Sequence, residues 1–414
     1  VTGGGESTPP GGLPAATLPP AARAPFLARP GRRDFAALCR LGLPVTVVQV
    51  GIMMMGVVDT IMVGHYSAQA LAATAIGNYY AVTIVMFGLG VLMALDPVVA
   101  QAVGAGETPA VARALQRGLL LSLAVAIPTA LALLPAEWVL RRLGQPAEVV
   151  PLAAAYAQLS IPGVPAMYGF VVMRQSLQAM HLTTPIVATT AIANLVNAAL
   201  CWVLIFGNLG VPELGVRGAA LATVIARWLM LALLLVFGWE HLRPLLRPWR
   251  RESLEPRPLV RMLRLGVPIG VAYEVEVGVF AVIAAMMGWL GMIAVGGHQV
   301  AINVASLTFM VPLGVSAAAS VLVGNAVGRG DAPGARRAAS AALVAGASFM
   351  TLSAITLCAL PGPIARLYTS AAEVAAIAVV LLPIAGVFQV FDGLQVVSAG
   401  ILRGLGDTRA PMIV

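Results

Sequence analysis

The sequence contains no lysine: all 25 basic residues are arginine. Without lysine there is no phosphate-cradling Walker A loop, so the chain does not hydrolyse ATP by that route, and no retinal-type Schiff base can form. Cysteine is almost as scarce, and Cys39, Cys201 and Cys358 cannot staple 414 residues into a disulfide scaffold. Charge is short too, at 10% of residues against roughly 25% in a soluble domain. The four histidines, His65, His181, His241 and His298, are scattered, with no HExxH pairing and no nucleophile–base constellation, which argues against an enzyme.

What is present is apolar surface, 59% of residues, with a mean hydropathy of +0.92. Apolar stretches of about 20 residues, each enough to cross a ~30 Å hydrocarbon core as a helix, recur along nearly the whole length. The expected fold is therefore an all-α polytopic membrane protein. Ten spans are expected, near 37–64, 70–100, 116–136, 150–175, 184–207, 214–239, 258–289, 293–325, 336–361 and 373–402. Residues 1–33, rich in Pro, Gly and Ala and carrying Arg23, Arg29, Arg32 and Arg33, read as a disordered cytoplasmic tail.

The net charge of +8 forms no single basic face, which excludes nucleic acid as the partner and leaves the lipid bilayer. Twenty arginines fall in the tail and the alternate links that share its side, four fall opposite, and Arg227 lies within span six. By the positive-inside rule the N-terminus is cytoplasmic, in a multi-pass protein of the cell inner membrane.

Self-comparison reveals a repeat. Arg40-Leu41-Gly42-Leu43-Pro44 recurs as Arg264-Leu265-Gly266-Val267-Pro268, an offset of 224. At the same offset Met86-Phe87-Gly88-Leu89-Gly90-Val91 recurs as Met310-Val311-Pro312-Leu313-Gly314-Val315. Val103-Gly104-Ala105-Gly106-Glu107-Thr108-Pro109 recurs as Val327-Gly328-Arg329-Gly330-Asp331-Ala332-Pro333. The chain reads as a six-helix lobe over 34–239, a cytoplasmic link over 240–257 and a second lobe over 258–414 that holds four of six helices. Adding the offset to 239 places the expected end near 463, so the last two helices are missing, through truncation or an incomplete gene model. An even number of spans per half makes the repeats parallel, and such transporters place substrate between halves that rock against each other.

Val58-Asp59-Thr60-Ile61-Met62-Val63-Gly64, the Gln101-Ala102-Val103-Gly104-Ala105-Gly106 end of span two, His298-Gln299 and Leu402-Arg403-Gly404-Leu405-Gly406-Asp407-Thr408 together resemble the multidrug and toxic compound extrusion (MATE) family. The resemblance implies twelve helices in two six-helix lobes around a central cavity. It also implies export of organic cations or other amphipathic, drug-like compounds in exchange for H⁺ or Na⁺, with no further cofactor and as a monomer.

Acidic residues within the spans are the functional candidates, because each costs about 2.5–3.5 kcal/mol to insert. They are Asp59, Asp96, Glu274, Glu276 and Asp392, and no arginine stands at obvious mid-span depth to neutralise them. Their repeat counterparts Ile283, Ile52 and Tyr168, for Asp59, Glu276 and Asp392, are neutral, so the scaffold does not itself require these acids. By resemblance, Asp59 is the cation- and proton-responsive aspartate of the first lobe, completed by Asn197 and Thr223. Cys201 replaces a further oxygen there, and a neutral thiol is a poor ligand for a hard cation. By the same resemblance Glu276 and Asp392 form a possible Na⁺ site, although Phe388 offers no oxygen where one branch has an aromatic hydroxyl. Gln299, Phe388, Gln389 and Gln395 are candidates to line the second-lobe cavity. Glu274 has no assigned role, and Asp96, just before Pro97, reads as an interfacial cap. The rival transport reading is a flippase of lipid-linked precursors, which shares the broader architecture; the scarcity of mid-span arginine favours cationic cargo.

Overall fold

A computed structural model describes residues 28–369 and 371–407; residues 1–27 of the expected tail, and Thr408 and Arg409 of the closing motif and charge count, lie outside the described residues. Among the described residues nine helices are long and apolar enough to cross a membrane. They are α1 (Arg32–Tyr66), α2 with α3 (Ala68–Leu92 and Leu95–Gly104), α4 (Thr108–Leu133), α8 (Thr184–Phe206), α9 (Val216–Phe237), α11 (Pro256–Trp289), α12 (Met292–Gly328), α13 (Ala332–Ala359) and α15 (Ala372–Leu405). Short helices α5 (Ala136–Arg142), α10 (Trp239–Leu246) and α14 (Pro361–Tyr368) cover their ends, and α6 (Val150–Leu159) and α7 (Gly163–Ala179) together take the place of the expected fourth span.

Two expected spans are thus broken, and proline accounts for both breaks. Pro97 lacks an N–H and crowds the carbonyl four residues back, at Met93, where α2 stops. Pro162 and Pro165 act in the same way on Gln158 and Ile161, at the joint between α6 and α7.

The offset of 224 organises the elements as well as the letters. Shifted by 224, the start of α1 falls on the first residue of α11, the end of α3 on the last of α12, and the start of α4 on the first of α13. The helices up to α9 pack mainly on one another around a core that includes Leu95, Leu115, Tyr168 and Ala226. Helices α12 to α15 form a second bundle around Ala318, Ala341, Leu357 and Leu382, into which α1 inserts Leu38 and Leu41, and α11 lies at the boundary, packed mainly on α2.

The seam between the bundles repeats itself about the same pseudo-two-fold. Gly104 lies against the backbone of Asn325, and its counterpart Gly328 against the backbone of Gln101, the counterpart of Asn325. Gly90 meets Gly270, while Gly314, the equivalent of Gly90, meets Thr46, the equivalent of Gly270. A side chain at any of these glycines would collide with the facing helix. Gln101 also donates to the Gly404 carbonyl (3.0 Å), and Asn325 meets His181 Nε2 (2.8 Å). Among the described residues, most of the hydrogen bonds between the two bundles, and the closest glycine approaches between them, lie in the halves nearest the arginine-rich face. The molecule is closed at that face.

The link after α9 is more than a tether. Leu242 and Leu245 of α10 are buried against the first bundle, and Gln116 of α4, fully buried, donates to the Leu245 carbonyl and accepts from Ser253 and the Arg250 amide. Arg113 and Arg117 pair with Glu252 and Glu255.

Candidate functional site

Small residues let α1, α8 and α9 come close: Gly218 of α9 lies on the Leu204 carbonyl of α8, and Gly51 of α1 lies against Thr190 of α8. Where the three converge, Asp59 is only 6% exposed. Asn197 donates to its Oδ1 at 2.6 Å, the Cys201 thiol to the same oxygen at 3.1 Å, and the Thr223 hydroxyl to Oδ2 at 3.0 Å. Asn197 and Cys201 are one turn apart on α8, so a single helix face supplies two donors. Tyr156 of α6, buried, lies within reach of the Asp59 charge.

The Thr223 hydroxyl has one proton and two neighbours, Asp59 Oδ2 and the Ala219 carbonyl, both at 3.0 Å. With Asp59 ionised, Thr223 donates to it. With Asp59 protonated, the carboxylic acid donates to Thr223, whose own proton turns to Ala219. The heavy atoms suit either state.

The second pair is built differently. Glu276 on α11 and Asp392 on α15 are near enough for the Asp392 charge to act on Glu276, and both are half-buried. No described residue donates a hydrogen bond to either carboxylate, and burial is the main influence on both. Gln389, three residues before Asp392, does not line an open space: it is 1% exposed, and its Oε1 accepts from Thr308 (2.9 Å) and Ser353 (3.4 Å), tying α12, α13 and α15 together. Phe388 and Gln395 are exposed, and Gln299, also exposed, donates to Asn303 at 3.2 Å.

The remaining acids fall at the seam. Glu274 turns toward Phe87 of α2, across the bundle boundary. Asp96 stands in the first turn of α3 and faces the charges of Arg174 and Arg403. Arg403 is buried and donates to Met93 Sδ (3.1 Å) and Ser316 Oγ (3.1 Å), crossing from one bundle to the other. The expectation that no arginine stands at mid-span depth is corrected by Arg227, which lies in the middle of α9, one turn after Thr223, within reach of the charges of Asp59, Tyr156 and Tyr168. Packing brings these groups together across helices far apart in sequence. The signal in the sequence was a single arginine in the middle of span six.

Two repeat-related helical bundles, sealed at one face and each holding carboxylates among its spans, define a membrane transporter, not an enzyme. The chain belongs to the MatE family, whose profile matches residues 44–203 and 268–414. It is 37% identical to a probable multidrug resistance protein NorM of Rhizobium meliloti, over 92% of this chain and 83% of that protein. It is 35% identical to multidrug resistance protein NorM of Vibrio vulnificus, over 92% and 84%. The fold superposes on the crystal structure of the eukaryotic MATE transporter AtDTX14 with a TM-score of 0.83 at 23% identity, covering 91% of this chain and 84% of that one.

Proposed function

We propose that this protein is a secondary active multidrug efflux antiporter that exports amphipathic organic cations in exchange for H⁺ or Na⁺. The observation that carries the reading is the Asp59 site: an enclosed carboxylate with three donors within 3.1 Å and a hydroxyl able to serve both protonation states. Proton uptake there removes a buried charge, and cationic cargo and proton then compete for the same negative potential, which is antiport by linkage. The thiol of Cys201 favours H⁺ over Na⁺ at this site, while Glu276 and Asp392 are the oxygen pair suited to Na⁺.

The division into lobes at 34–239 and 258–414 joined by 240–257 belongs to the same proposal, supported by the symmetric glycine seam. Closure at the arginine-rich face, taken as cytoplasmic in the inner membrane, makes this the outward-facing state of a monomer that rocks about that seam. Proteoliposomes loaded with a fluorescent organic cation, with H⁺ and Na⁺ gradients imposed separately, test the scheme. The expected result is efflux driven by the H⁺ gradient and lost in Asp59→Asn; undiminished exchange in Asp59→Asn overturns the proton role of this site.

A further inference from the structure

The link between α9 and α11 concentrates positive charge that the fold leaves unspent. From Trp239 to Arg264 it carries seven arginines and three acids, and two of those acids, Glu252 and Glu255, are taken by Arg113 and Arg117 of α4. Arg243, Arg247, Arg251 and Arg257 are exposed and form no ion pair among the described residues. On the opposite face of the molecule, by contrast, Arg141 pairs with Glu137 at 2.7 Å and Arg142 lies over the Trp138 ring. Two exposed tryptophans are interleaved with the free arginines. Trp239, 42% exposed, opens α10 one turn before Arg243, and Trp249, 47% exposed, stands between Arg247 and Arg251. Their positions are fixed from behind. Leu242 and Leu245 are buried, and Gln116 grips the Leu245 carbonyl, the Arg250 amide and the Ser253 hydroxyl. The face of α10 that carries Trp239 and Arg243, at i and i+4, is thereby turned outward. The link runs directly from Phe237, the end of one spanning helix, to Pro256, the start of the next, so these side chains stand at the level of the lipid headgroups.

Indole rings settle at headgroup depth because their body is apolar and their N–H is polar. A guanidinium meets a phosphate through two parallel hydrogen bonds, and arginines clustered at the end of a spanning helix attract anionic lipid. We propose that the outward face of α10 and the segment that follows it is a docking surface for the phosphodiester headgroups of anionic phospholipids in the adjoining leaflet. The positive-inside rule asks only for arginine on one side of the membrane. Here guanidiniums and rings are also held in a fixed arrangement by Gln116 and the two buried leucines. The tryptophans select lipid over soluble phosphate, since they offer an apolar neighbour that acyl chains can use and a free anion cannot. The surface concerns the lipid partner alone and is independent of cargo and coupling ion.

The full chain is reconstituted into vesicles of phosphatidylcholine with a minor, constant fraction of phosphatidylglycerol. Bromine is carried near the headgroup end of the acyl chains of one lipid or the other, and quenching of tryptophan fluorescence is compared per brominated lipid. Phosphatidylglycerol is expected to quench about fivefold more effectively, the enrichment that one arginine held at an anionic surface supplies. Trp239→Phe with Trp249→Phe is expected to remove that excess, which locates it at the link. Arg243→Gln with Arg247→Gln and Arg251→Gln is expected to bring the ratio to unity, while neutralising Arg329 and Arg336, on either side of the α12–α13 turn, leaves it unchanged. Equal quenching by the two lipids in the parent chain overturns the proposal, and that comparison needs no variant to fold. So does an excess that survives loss of both tryptophans or of the three arginines. An excess lost equally on neutralising Arg329 and Arg336 is diffuse attraction to the whole face, and overturns it too. Inorganic phosphate in place of chloride, at constant ionic strength, separates lipid from free anion. An unmoved ratio supports lipid docking; a collapse to unity assigns the arginines to free phosphate and overturns the lipid as occupant.

Discussion

At the scale of single residues, the first-bundle site turns on what surrounds one carboxylate. Asp59 is buried because α1, α8 and α9 pack around it, and it is tolerated because three side chains point hydrogens at it. Thr223 is the donor with an alternative acceptor, so its removal tests the site most directly. Thr223→Val keeps the shape and deletes the hydroxyl, leaving Asp59 Oδ2 without that bond. The expected loss is about 1–3 kcal/mol of stability, read as a lower thermal midpoint in detergent, together with weakened proton-driven efflux. Thr223→Ser is expected to retain most of both. Asp59, Asn197 and Thr223 were legible as residue types in the sequence through resemblance. That Cys201 donates to the same oxygen as Asn197 was not, because a thiol's role depends on which atom lies 3.1 Å away.

At the scale of elements, the informative pieces are the joints. The hydropathy pattern marks apolar length, and it located the spans; it does not register that Pro97 and Pro162 interrupt two of them, since a broken helix is as apolar as an intact one. The turn between α7 and α8 is a second joint. There His181 holds a positive φ of 63° and reaches over the seam to Asn325 of α12. Burial first, then the charges of Arg329 and Arg40, push its imidazole below the usual range. The folded state therefore prefers neutral His181, and its contribution is present above the ordinary histidine value of about 6.5 and lost as pH falls below it. Acidification from pH 7.5 to 5.5 is expected to raise hydrogen exchange in the last two turns of α12. His181→Gln, which keeps a bonding partner but does not titrate, is expected to flatten that dependence; an unchanged profile in His181→Gln would refute the assignment.

At the scale of the whole molecule, the seam is a symmetric contact made from an asymmetric chain. Gly104 on Asn325 and Gly328 on Gln101 are one contact seen twice, and glycine is required because each backbone lies against the other. Gly104→Leu is expected to wedge this face apart. Spin labels at Glu107 and Arg329, on the two links flanking the contact, are expected to separate by several ångströms relative to the parent chain. No change in their distance would show that the seam does not depend on this approach.

The sequence by itself determined the class of protein, the two related halves, their offset and the short roster of acids inside the spans. Those properties are linear: they are carried by composition, by apolar run length and by self-similarity at a fixed spacing. Tertiary structure decided what each buried charge meets. It gave Asp59 three donors from 138 to 164 residues away, left Glu276 and Asp392 without any, and drew Arg403 across the seam. Partnership and burial arise where helices distant in the chain converge, and no local pattern of residues encodes them.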